Sequence, residues 1–400
     1  MGYAALTQPT RARQERARHH STVIEARFHD HIDDIPSAAW DALRPDDNPF
    51  LSHALLAGLE RSGCIRPDWG WQAHHLGLYR NRTLIAAAPL YLKGNSHGEF
   101  VFDWSWASAW ERAGGDYYPK LLNAVPYSPV TGPRLLVGRD PGEAPALRGW
   151  LVEAMQQQAE HLRLSSIHAN FLSDADTAAF NDDWMARSDV QFHWHNRGYA
   201  DFDAFLAALN HKKRKNIRHE RQRVAGHDVQ IGMHGGAELD RRSWRRIHAL
   251  YTSTFDAKGN HAALTEAFFQ YLRKELGNTV QVALARQDGE IVAVALFLRS
   301  DTTLYGRYWG ACVDLPDLHF ELCYYQGIAY AIEQGLERFE PGAQGEHKLA
   351  RGFLPVRTQS RHYLLHEGFR QAVGHALAQE REGMDAYAEE LLDHSPYSQR

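Results

Sequence analysis

The sequence predicts an α/β (α+β) protein made of two consecutive domains, each a mixed, largely antiparallel sheet covered by helices. Three observations carry this expectation. The 400 residues exceed what one hydrophobic core ordinarily supports. The stretch IAAAPLYLK at 85–93 returns half a chain later as IVAVALFLR at 291–299. Helical and strand patterns in the same order flank both copies.

The elements follow in chain order. Residues 1–22 are Arg-rich without an apolar run, which predicts a disordered tail rather than a signal peptide. A first domain is expected over 23–195, a basic helical connector over 196–228 and a second domain over 229–400. In the first domain, helical spacing covers 36–43 and 51–62. HLGLYRNRT and IAAAPLYLK then form a hairpin turning at Asn81. A strand at 99–104, a helix at 143–163 and a strand at 166–170 complete it. In the second domain, helices at 239–256 and 264–276 lead to QVALARQDG and IVAVALFLR, a hairpin turning at Asp288-Gly289. A strand at 303–310, a helix at 319–338 capped by Asp317, and strands at 338–340 and 358–365 follow. A hairpin, strand, crossover helix and strand, given twice, make mixed sheets under helices.

Hydrophobic residues make up 44% and charged residues 23%, the balance of a globular chain. With mean hydropathy of -0.50 and no uncharged apolar run of about 18–20 residues, no membrane span is expected. Cys64, Cys312 and Cys323 have no CxxC spacing, so they read as reduced thiols and the cytoplasm as the compartment.

Four segments could carry chemistry. NHKKRKNIRHERQRV at 210–224 concentrates Lys212, Lys213, Arg214, Lys215 and Arg218 in a chain whose net charge is -5. Like charges three and four apart on a helix repel by about 0.2–0.5 kcal/mol per pair, so an external anion is expected to offset them. GAQGEHKLARGF at 342–353 combines a glycine-rich backbone with Glu346 or His347 as a general base, and with Lys348 and Arg351 on one side. Trp104 and Trp106 offer a stacking wall, and Arg134 emerges from a Pro/Gly-rich loop as an anion clamp. His319 and Glu321, in the first turn of the long helix, are candidate substrate-positioning groups. They point to opposite sides and cannot share a metal, so no metal site is expected. Each segment also has a plain reading: loop charges pairing with one another, aromatics packing, a solvated basic helix.

The stretches NPFLSHALLAGLE, FVFDWSWASAWERAGGDYYPKLLNAVPYSPVTGPRLL, NHKKRKNIRHER, YGRYWGA and HFELCYYQGIAYAIEQGLERFEPGAQGEHKLARGFLPV resemble the FemAB-like family of predicted N-acyltransferases. These are relatives of the Fem peptidyltransferases in the GNAT superfamily, and the resemblance covers roughly residues 48–370. It implies two tandem GNAT-like domains and acyl transfer to an amine. The donor would be acyl-CoA or an aminoacyl-tRNA as co-substrate, with no tightly bound cofactor, and the acceptor a small-molecule or cell-wall-derived amine. Fem-type transferases carry a Phe-Lys pair after the long helix. Lys348 holds the Lys place here, and His347 replaces the Phe. The GNAT pyrophosphate signature, Q/R-x-x-G-x-G/A, is not evident. On this reading Glu346 or His347 is the base, and Lys348 with backbone N–H groups stabilises the oxyanion. Arg351 and the 212–223 block hold the donor's anionic portion. Two competing readings are a non-catalytic tRNA- or polyanion-binding protein of the same fold and a metal-dependent hydrolase using the many histidines.

Overall fold

Both copies of the repeated segment form hairpins whose turns need two successive residues in the left-handed region, at Asn81 and Arg82 (φ 52° and 67°) and at Asp288 and Gly289 (φ 51° and 83°). That conformation matches the twist of the paired strands. The computed structural model describes residues 23–257, 259–343 and 345–398, so the tail expected at 1–22 lies outside the described residues. The first half contributes β1 (Ile24–His29), β2 (Trp71–Ala73), β3 (His75–Arg80), β4 (Thr83–Ala88), β5 (Leu90–Lys93), β6 (Lys120–Asn123), β7 (Ser166–Ala169) and β8 (Met185–His195). The second contributes β9 (Gln230–Gly235), β10 (Val280–Gln287), β11 (Glu290–Arg299), β12 (Thr303–Ala311), β13 (Arg338–Glu340) and β14 (Leu354–Leu364).

One residue explains why the two hairpins end up in different sheets. Pro89 stands where the second copy has Ala295. Proline has no N–H for the ladder, and the strand breaks there into β4 and β5. The order β1-β3-β4 forms a separate three-stranded sheet, while β2 and β5 join the large one. Ala295 keeps β11 continuous, paired to Ala283 on one side and Trp309 on the other.

The large sheet has eleven strands in the order β2-β5-β6-β7-β14-β8-β13-β12-β11-β10-β9. The last strand of each half lies beside the other half. β14 is antiparallel to β7, and β8 is antiparallel to β13. The two meet in an antiparallel pair running from Leu354↔His193 to His362↔Met185. The ranges 23–195 and 229–400 therefore share strands. Side chains alternate across the sheet. One face carries helices Ser37–Ala42, His53–Arg61, Arg241–Asp256 and Glu266–Glu275 on a common core that includes Trp40, Leu56, Trp244 and Phe269. Helix Ala144–His161 covers the other face of the first half, and helices Phe202–Ala208, His211–Ala225 and Gln326–Glu333 cover that of the second.

Two local expectations change. Residues 99–104 are not a strand: the chain leaves the sheet, and a helix runs from Trp104 to Arg112. Lys120 draws Glu99 and Asp103 into the core at 2.9 and 2.6 Å, which an extended strand edge would not permit. The helix expected at 319–338 ends at Glu333 and carries a π-turn over Glu321–Tyr325. Among the described residues no helix is long and apolar enough to cross a membrane.

If Pro89 is what divides the sheet, the two repeat positions respond unequally to exchange. Ala295→Pro removes an interior ladder bond and should lower stability by at least about 2 kcal/mol. Pro89→Ala should stay within about 1 kcal/mol of the parent. Urea denaturation midpoints compare the two directly.

Candidate active site

In the second half, β12 and β13 run parallel from Thr303↔Arg338 to Tyr305↔Glu340 and then part. The fork is tight at its base, because a Cβ on Gly306 would sit 3.2 Å from Pro341 Cα. β12 continues to Ala311, while the other branch turns away through Gly342 at φ 97°. Glu340, the last residue of β13, is 4% exposed. Its Oε1 is ion-paired with Arg338, Nε lying 3.0 Å away, its Oε2 has no hydrogen-bond partner, and His193 Nε2 lies 4.0 Å away. His193 comes from β8, so the exchanged strand completes the site. Burial pushes the Glu340 carboxyl up to about 7 against the pull of Arg338 and Arg307. Burial, then Arg338, His195 and Lys348, push His193 down to about 3. A cleft of about 380 Å³ opens over Glu340 and His193, walled by Asn48, Thr131, Thr302 and Tyr305.

The chain returns in the turn Glu346–Arg351, a 3₁₀ helix that separates the predicted catalytic group. With three residues per turn, Lys348 and Arg351 face inward while Glu346 and His347 are exposed. Lys348 is 2% exposed, and its Nζ donates to the carbonyls of Gly342 and Ala343, both at 2.9 Å. An ammonium has three donors, so one N–H is left over. Burial lowers its pKa to about 8. His347 Nε2 contacts the Tyr324 hydroxyl at 2.8 Å, and Glu346 accepts from Tyr387 at 2.6 Å. Arg351 lies 3.5 Å over the Phe320 ring and donates to His347 O and to Glu220, each at 2.8 Å.

Glu220 is the single acid in the basic block, and it also accepts from the Tyr325 hydroxyl. Arg221 grips Glu321 with two bonds of 3.1 Å, and Arg223 meets Asp317 at 2.6 Å. The C-terminal half of helix His211–Ala225 is thereby tied to the start of the crossover helix. At its N-terminal half, Arg214 reaches Ala207 O at 3.4 Å and Arg218 lies 3.6 Å from Asp203. Lys212, Lys213 and Lys215 have no acidic partner among the described residues. Cations at a helix N-terminus oppose its dipole, which leaves this cluster open to an anion.

The remaining expected residues fall elsewhere. Arg134 is buried and donates to the carbonyls of Pro133 and Val130, so it presents nothing to a cleft. Trp106 is buried against His168 and His362, whereas Trp104 is 49% exposed and stacked on Phe102. His319 packs edge-on to Trp309 and Tyr324. Among the described residues no group of three or more His, Cys, Asp or Glu could hold a metal ion. Glu340 and His193 escaped the sequence reading. Their signal was strand alternation, since each sits beside a buried aromatic, Phe339 or Trp194, and so faces the opposite side of the sheet.

A FemAB-like family model, described as peptidoglycan biosynthesis/recognition, matches residues 31–399. Among solved structures, the crystal structure of FemX is similar over 88% of this chain and 100% of its own, at 11% identity and a TM-score of 0.50. The C-terminal domain of a putative lysylphosphatidylglycerol synthetase from Agrobacterium fabrum aligns over 84% of this chain and 93% of its own, at 12% identity and a TM-score of 0.49. A tandem GNAT protein from the clavulanic acid biosynthesis pathway aligns over 86% and 98%, at 11% identity and a TM-score of 0.43. No curated protein is similar enough to match. The likeness to FemX is one of fold, and the α/β (α+β) class expected from sequence, a mixed, largely antiparallel sheet covered by helices, holds.

The environment of Glu340 has a thermodynamic signature. Its folded pKa lies above its unfolded value, so the fold favours the protonated form. The associated stability is full below about pH 4.5 and is lost as pH rises through about 7. Glu340→Gln keeps the shape without the charge. It should be more stable than the parent at pH 8, by up to about 3 kcal/mol, with the difference vanishing below pH 5. Thermal unfolding across pH measures it, and a parallel pair of curves would count against a buried, proton-holding Glu340.

Proposed function

The chain belongs to the FemAB-like family, and from that premise we propose that it is an N-acyltransferase moving an acyl or aminoacyl group from an activated donor to an amine. One observation carries the reading: a buried carboxyl held near neutral pKa stands at the strand fork, in the same half as a buried lysine with a free N–H. General-base catalysis works best when the base titrates near the working pH. Glu340 therefore takes the base role that the sequence gave to Glu346 or His347, both of which face outward.

In the proposed reaction the amine nitrogen attacks the donor's carbonyl carbon. The N–C bond forms and the C–O or C–S bond to the donor breaks. Glu340 accepts the amine proton, and the remaining N–H of Lys348 stabilises the oxyanion of the tetrahedral intermediate. The leaving alkoxide or thiolate takes the proton back from Glu340. Phosphates of an acyl-CoA or aminoacyl-tRNA dock on Lys212, Lys213 and Lys215. The acceptor is a small or cell-wall-derived amine.

Product formation followed by mass spectrometry, with acyl-CoA and aminoacyl-tRNA donors offered separately, tests this. The kcat/KM profile should rise through about pH 7 as Glu340 ionises and fall above about pH 8 as Lys348 loses its proton. Glu340→Gln should cost about 10²–10⁴-fold in kcat, while Glu346→Gln stays near the parent. Full activity in both Glu340→Gln and Lys348→Ala would overturn the assignment. Reversing Lys212, Lys213 and Lys215 to Glu should raise the donor KM about tenfold or more with kcat held. Steeply salt-dependent tRNA binding without turnover would instead favour a polyanion-binding protein.

A further inference from the structure

The strand pairings relate the site at the second fork to a second polar group in the first half. Leu121 pairs with Ile167 as Leu304 pairs with Phe339, and Ile167 pairs with Tyr363 as Phe339 pairs with Trp194. One residue further along, His168 opposite His362 occupies the place held by Glu340 and His193. Along the exchanged strand, Ser360 Oγ touches His362 Nε2 at 2.8 Å, as Gln191 Oε1 touches His193 Nε2 at 3.4 Å.

The protons of this group can be placed. His168 and His362 meet through their Nδ1 atoms at 2.7 Å, and a neutral imidazole has one donor and one acceptor nitrogen. Burial keeps both rings neutral, pushing His168 down to about 3 and His362 well below its usual range. Asp103 sets the direction. Burial alone would raise its pKa, but Lys120 at 2.6 Å outweighs that and keeps it ionised. Its carboxylate lies 3.6 Å from His168 Nε2, and Ser166 Oγ lies 2.8 Å from the same atom. The negative charge favours the His168 tautomer with its proton on Nε2. His168 Nδ1 then accepts, His362 Nδ1 donates, and His362 Nε2 accepts the Ser360 hydroxyl. The other acceptor in reach of that hydroxyl, Arg187 O, is longer at 3.3 Å. Ser360 Oγ keeps only lone pairs for anything beyond the relay.

Ser360 lines a cavity of about 140 Å³ at the β8–β14 seam, walled by Phe100, Phe102 and Phe171. On its floor, two polar groups beside Ser360 already spend a donor on backbone carbonyls. Thr358 gives its hydroxyl proton to Asp189 O, and Gln191 gives an amide N–H to Pro129 O. At the rim, Arg187 is held by Glu380 and Phe102 O. A site of this volume admits a single six-membered ring, as dry cavities of about 150 Å³ admit benzene.

We propose that this cavity, which adjoins the transfer centre through Gln191 and Ala343, is a second ligand site for a small compound that presents an N–H or O–H donor on an apolar ring, with Ser360 as its acceptor. Phenol is the probe, and toluene is the control of the same size without a donor. Calorimetric titration and ligand-observed NMR on the full chain should show saturable phenol binding. Toluene should bind about tenfold or more weaker, since it leaves the floor acceptors unpaired. Ser360→Ala should weaken phenol about tenfold without affecting toluene. Phe102→Ala, on an exposed loop where folding is not at risk, should weaken both ligands. Equal affinity for phenol and toluene, no saturable phenol binding, or phenol affinity unchanged in Ser360→Ala or in Phe102→Ala would each overturn the proposal.

Discussion

The backbone pairing of Met185–His195 with Leu354–Leu364 is the contact on which the rest of the molecule depends. It turns two half-sheets into one by setting the last strand of each half in the interior. A central strand has both edges paired, so neither half exposes the ladder where it would otherwise end. The same pairing puts His193 from the first half beside Glu340, and His362 from the second beside His168. Each polar group thus contains a residue from both halves. Neither would exist in a protein whose halves folded independently.

Charge links the basic helix to the reaction centre along a short path. Glu220 accepts from Tyr325 on the crossover helix and from Arg351 on the turn that carries Lys348. Arg221 and Arg223 fasten the same helix to Glu321 and Asp317. The half of the helix that faces the crossover is neutralised by these acids, and the half with Lys212, Lys213 and Lys215 is not. A uniform run of cations is in effect divided into an anchor and an open anion-facing end. The π-turn at Glu321–Tyr325 lies beneath the anchor and brings Glu321 into reach of both Arg221 and Gln326.

What the sequence made legible was local. Hairpin turns at Asn81 and Asp288-Gly289, the paired helices before each hairpin and the crossover helices all follow from periods of 2 and 3.6 and from turn chemistry. The partners of β8 and β14 could not be read that way, because strand pairing over more than a hundred residues leaves no local trace. The alternation in FVFDW reads as a strand, and the partners that Glu99 and Asp103 find in Lys120, Ser96 and Tyr117 make it a loop. At Gly345–Arg351, the spacing of Lys348 and Arg351 already placed them on one side. Whether that side is buried depends on Phe320 and Glu220, which the spacing cannot report. Glu340 stood inside an expected strand, but its near-neutral carboxyl comes from burial at a fork whose other branch, β12, lies far upstream.

The strand exchange also constrains how the chain is made. When His195 leaves the ribosome, β7 and β8 are present but the strand that separates them is not. About 160 further residues (354 minus 195) must be synthesised first. At about 5–20 residues per second this lasts on the order of 10–30 s. During that interval three strand edges of the nascent first half are unpaired, one on β7 and both on β8, and β7 and β8 are free to pair directly with each other. Such a pairing, parallel in their final orientation, would have to open before Leu354–Leu364 could enter. The final closure of the sheet therefore waits until Leu354–Leu364 has been made, and loss of that strand would unpair β7 and β8 of the first half.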